Sequence, residues 1–133
     1  MGTRILTYPF LTVMTAELLP AHAQDICSLV SGSVIVAQDS RNTVLGKITN
    51  SFDSDSIFNE FGTYGSEFSS DSIWNEFSTF GNEFNSESPF NEFSPSPPMI
   101  IKGGEVIGYL SVNKSIRSSI SPNLLKVHCE DSL

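Results

Sequence analysis

One seven-residue phrase occurs three times at a fixed interval. Asp55-Ser56-Ile57-Phe58-Asn59-Glu60-Phe61 returns as Asp71-Ser72-Ile73-Trp74-Asn75-Glu76-Phe77 and again as Glu87-Ser88-Pro89-Phe90-Asn91-Glu92-Phe93, sixteen residues apart without an insertion. The second half of the unit is also copied, as Tyr64-Gly65-Ser66-Glu67-Phe68 and Phe80-Gly81-Asn82-Glu83-Phe84. The last copy breaks off into Pro95-Ser96-Pro97-Pro98, and Phe52 stands one period before Phe68, as if a partial unit came first. A unit this short cannot bury an apolar side alone, so its copies must lean on one another.

Composition changes sharply inside this stretch. Residues 51–98 hold nine acidic side chains, no Lys or Arg, nine of the ten Phe and the only Trp. An acidic segment so rich in rings is a poor solvated linker, because each buried Phe returns roughly 1.5–3 kcal/mol. Phe58, Phe61, Tyr64 and Phe68 are spaced 3, 3 and 4 apart, which on an ideal helix places them within one face of about 120°. Gly62, Gly65 and the Ser-rich positions interrupt that pattern. The spacing therefore predicts a short helix of one or two turns per copy, capped by Ser56 or Asp55. The rings expected to pack between repeats are Phe58, Phe61, Tyr64, Phe68, Trp74, Phe77, Phe80, Phe84, Phe90 and Phe93. Asn59, Asn75 and Asn91, each directly after an aromatic, suit turn-forming or capping side chains.

β-branched runs flank the repeats. Residues 34–49 read as a first hairpin around Asp39-Ser40-Arg41-Asn42, and residues 99–112 as a second around Gly103-Gly104. Together they predict a four-stranded antiparallel sheet. Ser121 followed by Pro122 is a helix start signal, giving a short C-terminal helix over 121–128. The expected class is a small α+β fold, with antiparallel hairpins flanking an aromatic repeat that contains short helical turns.

The beginning of the chain carries an export pattern. Arg4, a mostly apolar run from Ile5 to Leu19 and Ala21-His22-Ala23 predict a signal peptide over 1–23, cleaved before Gln24. Residues 24–133 are then a single mature domain, periplasmic or extracellular. Cys27 and Cys129 lie near its two ends, and an even pair in an oxidising compartment reads as one disulfide. No apolar run in the mature chain reaches the roughly 18–20 residues of a membrane span. The full chain's 15 Asp and Glu against 7 Lys and Arg, a net charge of −8, argue against nucleic acid as a partner.

The pattern S-I-[FW]-N-E-F-x-x-[FY]-G-x-E-F, followed by Pro97-Pro98 and Gly108-Tyr109-Leu110-Ser111-Val112-Asn113, resembles a group of small secreted bacterial proteins. That group carries tandem 16-residue S-x-x-N-x-[FY]-G-x-[FY]-G-S units between strand pairs and has no established function. The resemblance runs from Val34 to Leu125 and implies a bacterial, exported, non-catalytic protein. Glu60, Glu76 and Glu92 stand where other members often carry Pro or Lys.

Candidate chemistry is sparse. Asp53, Asp55, Glu67, Asp71, Glu83 and Glu87 are hard oxygen donors suited to calcium, with Asp55, Asp71 and Glu87 the weak candidates for ligands. No EF-hand spacing is present, and solubilising or helix-capping carboxylates explain them as well. Exposed rings such as Trp74 and Tyr64 would suit carbohydrate, and paired carboxylates would suit a small hydrolase. No phosphate loop, zinc motif or nucleophile elbow is found. The sequence therefore predicts no enzyme, no catalytic or cofactor residues, and a binding or structural role toward an unidentified envelope or extracellular ligand. Calcium is the one cofactor left open.

Overall fold

The computed structural model describes residues 26–133. The expected signal peptide and its cleavage point lie outside the described residues. A helical segment at 26–30 (α1) leads into β1 (Val34–Val36) and β2 (Val44–Lys47), which pair antiparallel. After residues 51–98 come β3 (Met99–Lys102) and β4 (Glu105–Leu110), again antiparallel, then β5 (Ser119–Ile120) and α2 (Pro122–Cys129).

Both hairpins form where turn chemistry demands them. Gly103 and Gly104 have φ of 61° and 79°, the positive pair that a two-residue hairpin of primed type requires. In the first hairpin the Asp39 carboxylate accepts from the Thr43 amide at 2.9 Å and the Thr43 hydroxyl at 2.5 Å. These bonds, the hydroxyl first, hold the Asp39 carboxyl below its ordinary range.

The sheet differs from the expected one. It has five strands in the order β2-β1-β3-β4-β5, and it is mixed because β5 lies parallel to β4. The hairpins join through β1 and β3, with Ile35 opposite Ile100. The fifth strand is only two residues long, Ser-Ile, and follows Ser118 at φ 61°. Neither length nor alternation marks it in the sequence; its ladder is made by Tyr109 donating to Ser118 and Ser111 donating to Ile120.

Helix α2 starts as its signal implies. The Ser121 side chain accepts from the Leu124 amide, Pro122 occupies the first turn, and Pro122, Leu125 and Cys129 face inward. Cys27 and Cys129 are joined in a disulfide that ties α1 to α2 across 102 residues of sequence. Lys102 at the end of β3 donates to the Leu29 carbonyl at 2.8 Å, satisfying an end of α1 that has no helical partner.

A single apolar core unites these parts. Ile35, Leu45, Ile100, Leu110 and Leu125 from the strands and α2 share one cluster with Ile57, Phe58, Ile73 and Phe80 from the repeats. The first copy joins β2 directly: Lys47 donates to the Asp55 carbonyl and Ile57 donates back to the Lys47 carbonyl. Gly46 makes this approach possible. Its φ is +117°, and a Cβ there would stand 2.7 Å from the Tyr64 Cβ and 2.9 Å from Ile57 Cγ2.

Among the described residues, 51–98 contains no helix and no named strand, only one isolated bridge from Ser56 to Lys47. The expected helical turns are therefore replaced by a continuous series of tight turns. Ser and Asn side chains take the amides that would otherwise build a helix, which is how these residues disfavour helix interiors.

Because the disulfide closes nearly the whole domain, replacing Cys27 and Cys129 together with Ser lowers unfolding free energy by about 2–5 kcal/mol in urea titration. An unchanged midpoint contradicts a stapling role.

Candidate functional site

Each copy positions its rings with the same short-range bonds. The Phe58, Trp74 and Phe90 amides donate to the hydroxyls of Ser56, Ser72 and Ser88, two residues back, at 3.0–3.1 Å. Those three serines are buried. The Phe61, Phe77 and Phe93 amides donate at 3.0 Å to the side-chain oxygens of Asn59, Asn75 and Asn91. The other end of each Asn amide donates to a carbonyl six residues back, of Asp53, Ser69 and Asn85, at 3.0–3.2 Å. The three asparagines are thus turn formers, each clamped at both ends.

The second half of the unit uses the same device. Phe68 donates to the Ser66 hydroxyl at 3.1 Å and Phe84 to the Asn82 side chain at 2.9 Å. Phe52, before the first full copy, donates to Asn50 at 3.0 Å. Gly65 and Gly81 lie against the carbonyls of Asn59 and Asn75, where a Cβ would overlap backbone oxygen.

This geometry sorts the rings into two populations. Phe58 and Phe80 are 6% exposed, and Tyr64, Trp74 and Phe90 pack half-buried against the core. Trp74 links neighbouring copies: its indole N–H donates to the Ile57 carbonyl at 2.6 Å, and its ring meets Phe90 at 5.8 Å between centroids. Phe61, Phe68, Phe77, Phe84 and Phe93, expected to pack between repeats, instead stand in solvent. With Phe52 they are 82–94% exposed. The helical projection put Phe58 and Phe61 on one face; the turns that replace the helix point them in different directions.

The outward rings have acidic neighbours. Glu60, Glu67, Glu76, Glu83 and Glu92 immediately precede five of them, and all five carboxylates are exposed. Two open clefts of about 430 and 440 Å³ lie on either side of Phe77. One runs between Phe77 and Phe84 over Ile73, Trp74 and Phe90; the other lies between Phe68 and Phe77, again beside Trp74. Lys126 of α2 sits over the Trp74 ring, 4.6 Å from its centroid.

The calcium candidates do not converge. Asp55 is on the surface, 3.8 Å from the Lys47 ammonium, and Asp71 is exposed in a different copy. Among the described residues no three His, Cys, Asp or Glu side chains form a group able to hold a metal. Glu87 instead donates its backbone N–H to the Asn85 side chain, as part of a turn.

Sequence reasoning missed Asn113. It is buried, its side chain donates to the Ser94 carbonyl at 2.8 Å, and its amide donates to the Ser111 hydroxyl at 2.9 Å. It ties the segment just after β4 to the end of the last copy. The available signal was a Ser-x-Asn pair beyond the repeats.

Compared with protein-family models, with curated proteins and with solved structures, the chain matches none.

The two ring populations respond oppositely to truncation. Phe80→Ala costs about 3–5 kcal/mol in chemical denaturation, and Asn75→Ala about 1–3 kcal/mol through its lost bonds. Phe77→Ser stays within about 0.5 kcal/mol of the parent. A large loss at Phe77 places that ring in the core and contradicts this arrangement.

Proposed function

We propose that this chain is an exported, non-catalytic binding protein of the bacterial envelope or cell exterior, and that its working surface is the outward Phe-Glu steps of the repeats. One observation carries the proposal: six Phe rings stand 82–94% exposed, each on a backbone amide fixed by the side chain two residues before it. Rings left in water add nothing to folding stability and raise the hazard of aggregation. Their repetition in a fixed local geometry suits a surface that works by contact.

Export is supported by the Arg4-to-Ala23 pattern and by the disulfide, a bond that persists in oxidising compartments. The likeness to small secreted bacterial repeat proteins points the same way. Among the described residues no helix is long and apolar enough to cross a membrane.

A catalytic role draws little support from the clefts. Glu76 and Glu83 border the same one, yet both are exposed, whereas the acid of a glycosidase sits in a desolvated pocket. A carbohydrate platform built on Trp74 and Tyr64 is also disfavoured, since both pack half-buried against the core. The displayed Phe rings are the large apolar groups most open to a ligand.

Fractionating the producing cells tests this. The expected outcome is a processed chain beginning at Gln24 outside the cytoplasm, retained on the envelope or an extracellular partner. The variant Phe68→Ser/Phe77→Ser/Phe84→Ser should be exported and folded but released into the soluble fraction. An unprocessed cytoplasmic chain, or retention indifferent to the three substitutions, overturns the proposal.

A further inference from the structure

We infer that the strip formed by Phe68, Phe77 and Phe84 with Glu67, Glu76 and Glu83 receives a basic polypeptide segment in which Lys or Arg alternates with large apolar side chains. The inference rests on the outward rings being a binding face and assigns the chemistry of what they bind. Continuity comes first. Phe77 walls both clefts, Phe68 and Phe84 form their outer sides, and Trp74 borders each, so the three rings bound one ribbed groove. Each cleft, at about 430 or 440 Å³, has room for bulky side chains and does not enclose a ligand.

Charge then selects the occupant. Every outward ring of the strip follows a glutamate, and residues 51–98 carry nine acidic side chains and no Lys or Arg of their own, Lys47 reaching only Asp55 among them. A second copy docking the same strip face to face would oppose like charges across the contact, which costs several kcal/mol at complementary interfaces in general. An anionic lipid surface is repelled for the same reason. A neutral ligand would use the rings but leave the glutamates without partners. A segment carrying cations beside apolar groups offers a partner to both the glutamates and the rings.

The protein already contains one such contact. Lys126 reaches from α2 over the ring of Trp74, a residue that borders both clefts, 4.6 Å from the centroid. A cation over an aromatic ring is the contact that the incoming segment would repeat along the strip, with the glutamates as added partners.

The test uses the disulfide-bonded protein and three synthetic peptides of equal length, alternating leucine with lysine, with glutamate or with serine, followed by titration calorimetry. The Lys-Leu peptide is expected to bind, and to weaken markedly with salt as screened pairs do. Glu67→Gln/Glu76→Gln/Glu83→Gln should lower its affinity by roughly tenfold or more, and Phe77→Ser should do the same at unchanged thermal stability. Absence of Lys-Leu binding, equal binding of the Glu-Leu or Ser-Leu peptide, or indifference to the glutamine variant overturns the inference. Should the Lys-Leu peptide fail while cell-fraction retention still depends on Phe68, Phe77 and Phe84, the basic partner is wrong and the binding face stands. Should retention also ignore those rings, both fall.

Discussion

The structure depends on a bond between a Ser or Asn side chain and the backbone amide two residues further on. Residues 51–98 have no helix and almost no ladder, so their polar backbone must find partners elsewhere. Nine aromatic positions are anchored this way: Phe52, Phe58, Phe61, Phe68, Trp74, Phe77, Phe84, Phe90 and Phe93. Buried Ser56, Ser72 and Ser88 hold the inner rings, and Asn59, Asn75 and Asn91 hold the outer ones while reaching back to a carbonyl. The same chemistry thus specifies two opposite directions, and their alternation produces a protein with an aromatic core and an aromatic exterior.

Such a chain of turns has little cooperativity of its own, because its bonds are local. The rest of the fold supplies the long-range part. The sheet receives the first copy at Lys47 and the last through Val112, which donates to the Pro89 carbonyl. Trp74 stitches the copies together through Ile57 and Phe90. The disulfide then closes α1 onto α2, whose Lys126 covers Trp74. A domain with so modest a core benefits from that covalent constraint, since small domains bury a smaller share of their surface. The outer rings stand outside this network, in solvent.

Much of the frame was legible in the sequence. Gly103-Gly104 marked a hairpin because both residues take positive φ, and Ser121-Pro122 marked a helix start because one side chain caps and the other lacks an amide to satisfy. The cysteines near the two ends of the domain were found joined. The direction of each ring was not legible from spacing. A helical projection assumes that consecutive amides bond along the helix, and the Asn and Ser side chains capture those amides first. For eight of the rings the informative signal lay in the residue immediately before. Glu precedes Phe61, Phe68, Phe77, Phe84 and Phe93, all outward, whereas Ile or Pro precedes Phe58, Trp74 and Phe90, all inward. β5 was missed because two residues carry no periodicity, and Asn113 because its partner, the Ser94 carbonyl, stands 19 residues earlier in the chain.

The partition of the rings is tested most directly by fluorine NMR on protein labelled with fluorophenylalanine, comparing chemical shifts in light and heavy water. The account predicts solvent-sensitive signals for Phe52, Phe61, Phe68, Phe77, Phe84 and Phe93, and insensitive ones for Phe58 and Phe80. Uniform protection of all the repeat phenylalanines, or uniform exposure, contradicts it.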